Sequence, residues 1–204
     1  MSMSSTMSTR RRAPQQPRGE LRLAQLLQAA ASLLSEVGYD AATMTGIASR
    51  AQASIGTLYQ YFPNKPAIVL ALRNQYRAEM EERWAILDEK TREMSVKQVA
   101  HLLVEIMVRF VEERPAYFPI LDVPIKFKRN QEAKIRLRRR IAKVFRSKQP
   151  SLSKAFAYRI ANVSVQIIKS MFNLYAEANS DEREELVKEY KLVLAAYLEA
   201  RLAR

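Results

Sequence analysis

Seven consecutive residues, Ile55 to Tyr61 (IGTLYQY), carry side chains better suited to the edge of a base pair than to a protein interior. Gln60 can donate to and accept from an adenine edge, and Ile55 can touch a thymine methyl group. Gly56 has no side chain and lets a backbone come close. The hydroxyls of Thr57, Tyr59 and Tyr61 can donate to phosphate oxygens, which fixes orientation without reading sequence. Lys65 opens the next helical pattern, where an ammonium and unpaired backbone N–H groups could hold a phosphate together. Thr45 offers a similar arrangement one helix earlier, and Ser54 stands where it can cap the reading segment. The chemistry expected is that of a short rod laid in the major groove of double-stranded DNA.

Such a rod needs a rigid support. Leu58 and Phe62 lie four apart and should face inward as its anchor. The helix that carries them is expected to start after Ser54 and to end near Phe62, because Pro63 disfavours continuation. Gln52 and Ala53 form the turn before it. A preceding helix over about Thr45–Ala51, with Thr43 as its N-cap, turns Ile47, Ala48 and Ala51 inward. Earlier still, Leu23, Leu26, Leu27, Ala30, Leu34 and Val37 make one apolar stripe of a helix starting near Glu20. Gly38 follows where a left-handed C-terminal cap is expected.

The residues Thr43, Ile47 and Ala48, then Ser54, Gly56, Thr57, Leu58, Tyr59, Tyr61, Phe62, Asn64 and Lys65, stand at the spacing of a known pattern. Over about residues 20–70 the chain resembles the DNA-binding domain of the tetracycline-repressor family. One departure is Gln52, where the family usually has a turn glycine; a different turn geometry or a small strain cost is expected there. The resemblance implies an all-α protein with an N-terminal three-helix, helix-turn-helix domain and a C-terminal helical domain for effector binding and dimerisation. On this reading residues 1–19 are a disordered basic tail, 20–65 the DNA-binding domain and 66–204 the second domain.

The tail is rich in Ser, Thr, Pro, Gln and Arg and buries too little to order itself. Its cluster Arg10, Arg11 and Arg12 could reach into a minor groove, or simply be solvated. After residue 65, helical patterns run over about 65–90, 95–114, 130–148, 152–179 and 181–202, broken by Pro115, Pro119, Pro124 and Pro150. One three-helix unit makes few contacts, so two copies on half-sites ~34 Å apart are expected. The last two helices are the expected homodimer interface, through Ile160, Val163 and Ile167 on one and Leu194, Tyr197 and Leu198 on the other, as a four-helix bundle. Ordinary packing within the chain is the plainer alternative. For an effector pocket the candidates are Trp84, Leu87, His101, Met107, Phe110, Tyr117, Phe118, Leu121, Phe127, Met171 and Tyr175, chosen by helix position; each could equally be core.

Composition narrows the function classes. The 204 residues include no Cys, which removes disulfides, thiolate zinc sites and a Cys nucleophile. There is one His, no Gly-x-Ser-x-Gly and only four Gly, so neither an acyl-transfer triad nor a Gly-rich phosphate loop can be assembled. No metal or other cofactor is expected. No apolar run approaches the ~20 residues of a membrane helix, and a soluble cytoplasmic protein is expected. A net charge of +13 favours a polyanionic partner. Between Lys126 and Lys148 there are eleven Lys or Arg against the single acid Glu132, a net of +10. That run is either a solvated face or a surface that attracts an acidic effector, nucleic acid or anionic lipid. The leading expectation is a transcriptional regulator, a repressor released from a palindromic operator by an unknown small molecule. The alternative is a nucleoid-associated DNA-binding protein of the same fold without an effector.

Overall fold

The computed structural model describes residues 16–121, 123–124 and 131–202, and its regular structure there is helical throughout. Helix α1 (Gln16–Ala41) begins four residues before Glu20 and breaks at Gly38, whose φ of 75° lies in the left-handed region. Glycine enters that region most freely, and with ψ 175° it makes a kink within the helix in place of the left-handed C-terminal cap expected there. Helices α2 (Met44–Arg50), α3 (Ile55–Tyr61) and α4 (Lys65–Ala85) follow, each with a polar N-cap. Thr43, Ser54 and Asn64 accept from the N–H of Gly46, Thr57 and Ala67 at 3.0, 3.0 and 2.9 Å.

The long helix expected over 65–90 stops at Ala85. A separate turn, α5 (Leu87–Lys90), continues it after Ile86. Leu87 is fully buried, and the buried Thr91 donates its hydroxyl to the Leu87 carbonyl at 2.6 Å. Burial of Leu87 in the body core sets this break, which no Gly or Pro announces. Helix α6 (Val96–Glu113) opens with a reciprocal cap between Ser95 and Gln98. The proline-rich stretch holds one short helix, α7 (Tyr117–Leu121). The basic helix α8 (Gln131–Lys148) and the long helices α9 (Lys154–Glu177) and α10 (Ser180–Leu202) complete the body.

Two apolar cores divide the molecule. The first joins Leu26, Leu34, Ile47, Leu58 and Phe62 of the head to Ile68, Leu72 and Tyr76 of α4 and to Phe110 and Ile120. It therefore runs past residue 65, and α4 and α7 form part of the support of the reading head. The second core gathers α6, α8, α9 and α10 around Leu103, Phe145, Ile160, Met171 and Leu198. Met80 and Tyr117 pack against both. Arg73 of α4 holds α7 by donating to the carbonyls of Ile120 (2.8 Å), Leu121 (3.0 Å) and Val123 (2.7 Å). An aromatic chain continues from that contact, Phe110–Tyr117, Tyr117–Phe118 and Phe118–Phe172, with centroids 5.1, 5.5 and 5.1 Å apart. Burial raises the hydroxyl pKa of Tyr117, and that of Tyr76 is pushed up to about 12 for the same reason, so both stay neutral.

Candidate nucleic-acid interface

Helix α3 is seated by two buried side chains, Leu58 (0 % exposed) and Phe62 (6 %). At 3.6 residues per turn, Ile55, Gly56, Tyr59 and Gln60 then fall on a continuous outer face, with Gln60 roughly opposite the anchor. Ile55 is 40 % and Tyr59 51 % exposed, and Gln60 and Gly56 are exposed as well. A β-carbon added at Gly56 would meet only the Ser54 hydroxyl, at 3.8 Å. Nothing inside the fold requires glycine there, which leaves an approaching partner as the reason for it. Tyr61 sits at the edge of the face, with its hydroxyl near Gly19 at the start of α1.

The turn ahead of α3 carries strain where the sequence suggested it. Gln52 has φ 48°, a left-handed conformation in a residue with a side chain. Arg22 of α1 grips this turn by donating to the carbonyls of Ala51 (3.4 Å) and Gln52 (3.1 Å). That clamp was not legible as such, since Arg22 reads as an exposed position on α1. Gly46 was also passed over. A β-carbon there would lie 3.1 Å from both Leu33 Cδ2 and Thr43 Oγ1, so α2 approaches α1 closely enough that a larger residue would push these neighbours by a few tenths of an ångström.

Of three other expected contacts, the geometry modifies those of Thr57 and Lys65 and leaves Thr45 open. Thr57 is half-buried, and its hydroxyl is 2.8 Å from that of Ser54, so these two side chains serve the cap of α3 first. Thr45 is exposed in the first turn of α2. Lys65 departs from its expected role: its ammonium donates to the carbonyls of Tyr39, Asp40 (3.3 Å) and Ala42 (2.7 Å) and lies 4.2 Å from the centre of the Tyr39 ring. These three acceptors lie at and just past the end of α1, which the ammonium closes. The phosphate expected at this point is left to the backbone N–H groups of the α4 N-terminus.

Residues 26–72 match the family model described as bacterial regulatory proteins, tetR family, and residues 95–198 match that of the tetracyclin repressor-like C-terminal domain. The chain belongs to the tetR family. That family is described as one of bacterial regulatory proteins, and α2 and α3 form the helix-turn-helix of this chain. Among curated proteins it is 36 % identical over 97 residues to the HTH-type transcriptional repressor KstR of Rhodococcus jostii, covering 41 % of this chain and 44 % of that protein. The chain thus aligns with less than half the length of that relative. Its fold is shared with a TetR-family regulator of Streptomyces coelicolor, at a TM-score of 0.61 and 24 % identity over 89 % of this chain and 99 % of that one. It is shared also with the regulator FadR of Bacillus subtilis, solved in complex with stearoyl-CoA, at 0.62 and 16 % over 86 % and 97 %.

The body of this tetR-family chain places the remaining expected residues differently. Trp84, Leu87, Phe110, Met171 and Tyr175 are buried side chains of the two cores, while His101, Met107 and Phe118 are half-buried. Leu121 is 42 % exposed, and Phe127 lies outside the described residues. Phe110 belongs to the head core and most of the others to the body core. Tyr175 donates to Glu112 at 3.0 Å, and burial together with that bond raises its pKa. Among the described residues, the buried indole Nε1 of Trp84 has no hydrogen-bond partner. At the expected dimer interface, Ile160, Leu194 and Leu198 are at most 1 % exposed within the single chain. These three pack α9 and α10 into their own body core, which is the plainer alternative. Val163 is exposed, and Ile167 and Tyr197 are half-buried. No helix among the described residues is long and apolar enough to cross a membrane.

Proposed function

We propose that the chain is a repressor that binds a palindromic operator as a homodimer and leaves it when a small molecule occupies the body. The observation that carries this reading is the outer face of α3, where Ile55, Gly56, Tyr59 and Gln60 stand exposed above a buried Leu58–Phe62 anchor. Side chains of this kind, presented on a seated helix, suit direct readout in the major groove. Kinship to proteins named repressors supports the sign of the regulation. A second copy would cover the apolar side chains left open on α9 and α10: Val163 and Leu174, 38 and 50 % exposed, with Leu192 and Val193, 61 and 49 %. Together with Ile167 and Tyr197 they offer a self-complementary two-helix surface of the kind a two-fold dimer uses. The complex of FadR with stearoyl-CoA supports an effector with a long apolar body as the first class to try.

A second reading rests on the burial of the pocket candidates Trp84, Leu87, Met171 and Tyr175 in the body core. The aromatic and aliphatic candidates for a pocket pack against each other, as they would in a nucleoid-associated protein with no effector. One experiment separates the two. Footprinting on genomic DNA, followed by fluorescence anisotropy on any protected site, should give few strong sites with two copies bound to each. Replacing Tyr59 and Gln60 by Ala should weaken the specific complex by about 1–3 kcal/mol per lost base contact. Many weak sites and no response to an acyl-chain ligand would favour the nucleoid reading. Unchanged affinity of the double variant for every duplex would remove both.

A further inference from the structure

The basic helix α8 is left unexplained by the reading head. Arg139, Ala142, Lys143 and Arg146 of that helix face Lys154, Ala155 and Tyr158 in the first turn of α9 across a groove of about 420 Å³. Four cations line it and no carboxylate does. Two other cations of α8 have partners elsewhere: Arg136 pairs with Glu81 at 2.8 Å, and Lys148 donates to the Arg92 carbonyl at 2.7 Å. Arg139 and Lys154 are exposed and have no carboxylate partner among the described residues. Arg146 is pinned by its Nε, which donates to the Leu152 carbonyl at 3.1 Å across the α8–α9 corner. Its terminal nitrogens are left for another acceptor.

Gathering like charges around one concavity costs self-repulsion, and a bound anion relieves it. The multiplicity of the charge selects the anion. A single carboxylate would leave most of the lining unneutralised, whereas adjacent phosphates carry several negative charges within a few ångströms and accept from guanidinium and ammonium groups alike. Ala142 and Ala155 keep the floor of the groove open, and the half-buried Tyr158 adds a flat wall. The volume lies in the range of small-molecule sites. An operator duplex is a poor fit, because it presents its phosphates on a convex surface. The groove is also remote from α3. Arg136, one turn before Arg139, pairs with Glu81, which is sixteen residues and so about 24 Å of helix along α4 from Lys65.

We propose that the α8–α9 groove binds a compact ligand bearing adjacent phosphates. The same chemistry is offered by a free oligophosphate, a nucleoside triphosphate and a coenzyme pyrophosphate, and calorimetric titration of the full chain at 0.15 M salt tells them apart. Inorganic tripolyphosphate, ATP and coenzyme A are the three probes. At least one should bind saturably, one per chain, with a Kd on the order of 10 µM. Equal affinities would assign recognition to the phosphates alone; tenfold tighter binding of ATP or coenzyme A would add a contact from the nucleoside, with Tyr158 as the nearest flat surface. Replacing the exposed pair Arg139 and Lys154 by Ser should weaken binding at least tenfold. The charge-matched pair Lys97→Ser and Arg109→Ser on α6 should leave it within twofold, and thermal melts should show both variants folded. Absence of saturable binding by all three probes overturns the proposal, as does an equal loss in the two variants, which would reduce the effect to net charge. Neither measurement involves DNA, so the outcome is independent of the repressor reading.

Discussion

The ammonium of Lys65 has three hydrogens, and the carbonyls of Tyr39, Asp40 and Ala42 accept them. A lysine beside a reading helix invites a phosphate assignment, but these carbonyls end α1 just past the left-handed Gly38 and have no further helix turn to satisfy them. The local need is met first. Lys65→Met keeps the apolar stem and removes the charge. It should lower stability by about 2 kcal/mol, since hydrogen bonds to charged groups are among the stronger ones. Thermal melts and duplex titrations of the same variant decide its role. A tenfold loss of DNA affinity with an unchanged melting midpoint would return the ammonium to the phosphate backbone. Gln60 and Tyr59 differ from Lys65 in having no internal partner to explain their exposed position. That difference was beyond the sequence, where all three look like polar side chains near a turn.

At the scale of elements, two positions in the head test how closely helices α1, α2 and α3 are fitted. Gly46 lets α2 lie on Leu33, and its N–H is bound by Thr43 Oγ1, so an added methyl group meets both the partner helix and the cap. Gly46→Ala should destabilise by about 1 kcal/mol, the overpacking cost exceeding the gain in helix propensity. Gln52→Gly should act in the opposite direction, by roughly 0.5–1 kcal/mol, because it relieves a left-handed residue at some cost in chain entropy. Denaturant melts of the two variants should therefore move apart; a shift of both in one direction would mean that the turn is not strained as described. The caps Thr43 and Ser54 were plain in the sequence, because each precedes a short periodic run and each accepts from the N–H three residues on; Ser95 and Ser153 do the same, although the sequence placed them inside their helices. The break at Ile86 was not, because its cause is burial of Leu87 against distant helices. Nor could an apolar stripe on α9 or α10 say whether its partner is the same chain or another. Ile160 and Leu198 look no different in sequence from Val163 and Leu174, yet the first two are covered by their own fold and the second two are not.

For the molecule as a whole, the charge lies in the wrong place for a simple electrostatic account of DNA binding. Residues 20–65 contain three cations, Arg22, Arg50 and Lys65, and three acids, Glu20, Glu36 and Asp40, so the head is neutral although the chain carries +13. All three cations are also occupied. Arg22 holds the turn, Arg50 bonds Ser32 at 2.8 Å and Glu36 at 2.5 Å, and Lys65 closes α1. Phosphate neutralisation must then come from outside residues 20–65. The basic groove on α8 is too remote for the operator, which leaves Arg10, Arg11 and Arg12 ahead of α1 and Arg18, exposed near its start. Each phosphate neutralised contributes about 0.9 to the slope of log K against log salt. Deleting residues 1–15 should thus flatten the slope by up to about 3 per chain. Much of the affinity at low salt should go with it, while preference for operator over random duplex is retained, because Ile55, Tyr59 and Gln60 remain. Anisotropy titrations of the two proteins on both duplexes between 50 and 300 mM salt make the comparison. An unchanged slope would place the ionic contacts on the helices themselves, at Arg18 or at one of the three occupied cations that lets go of its partner on binding.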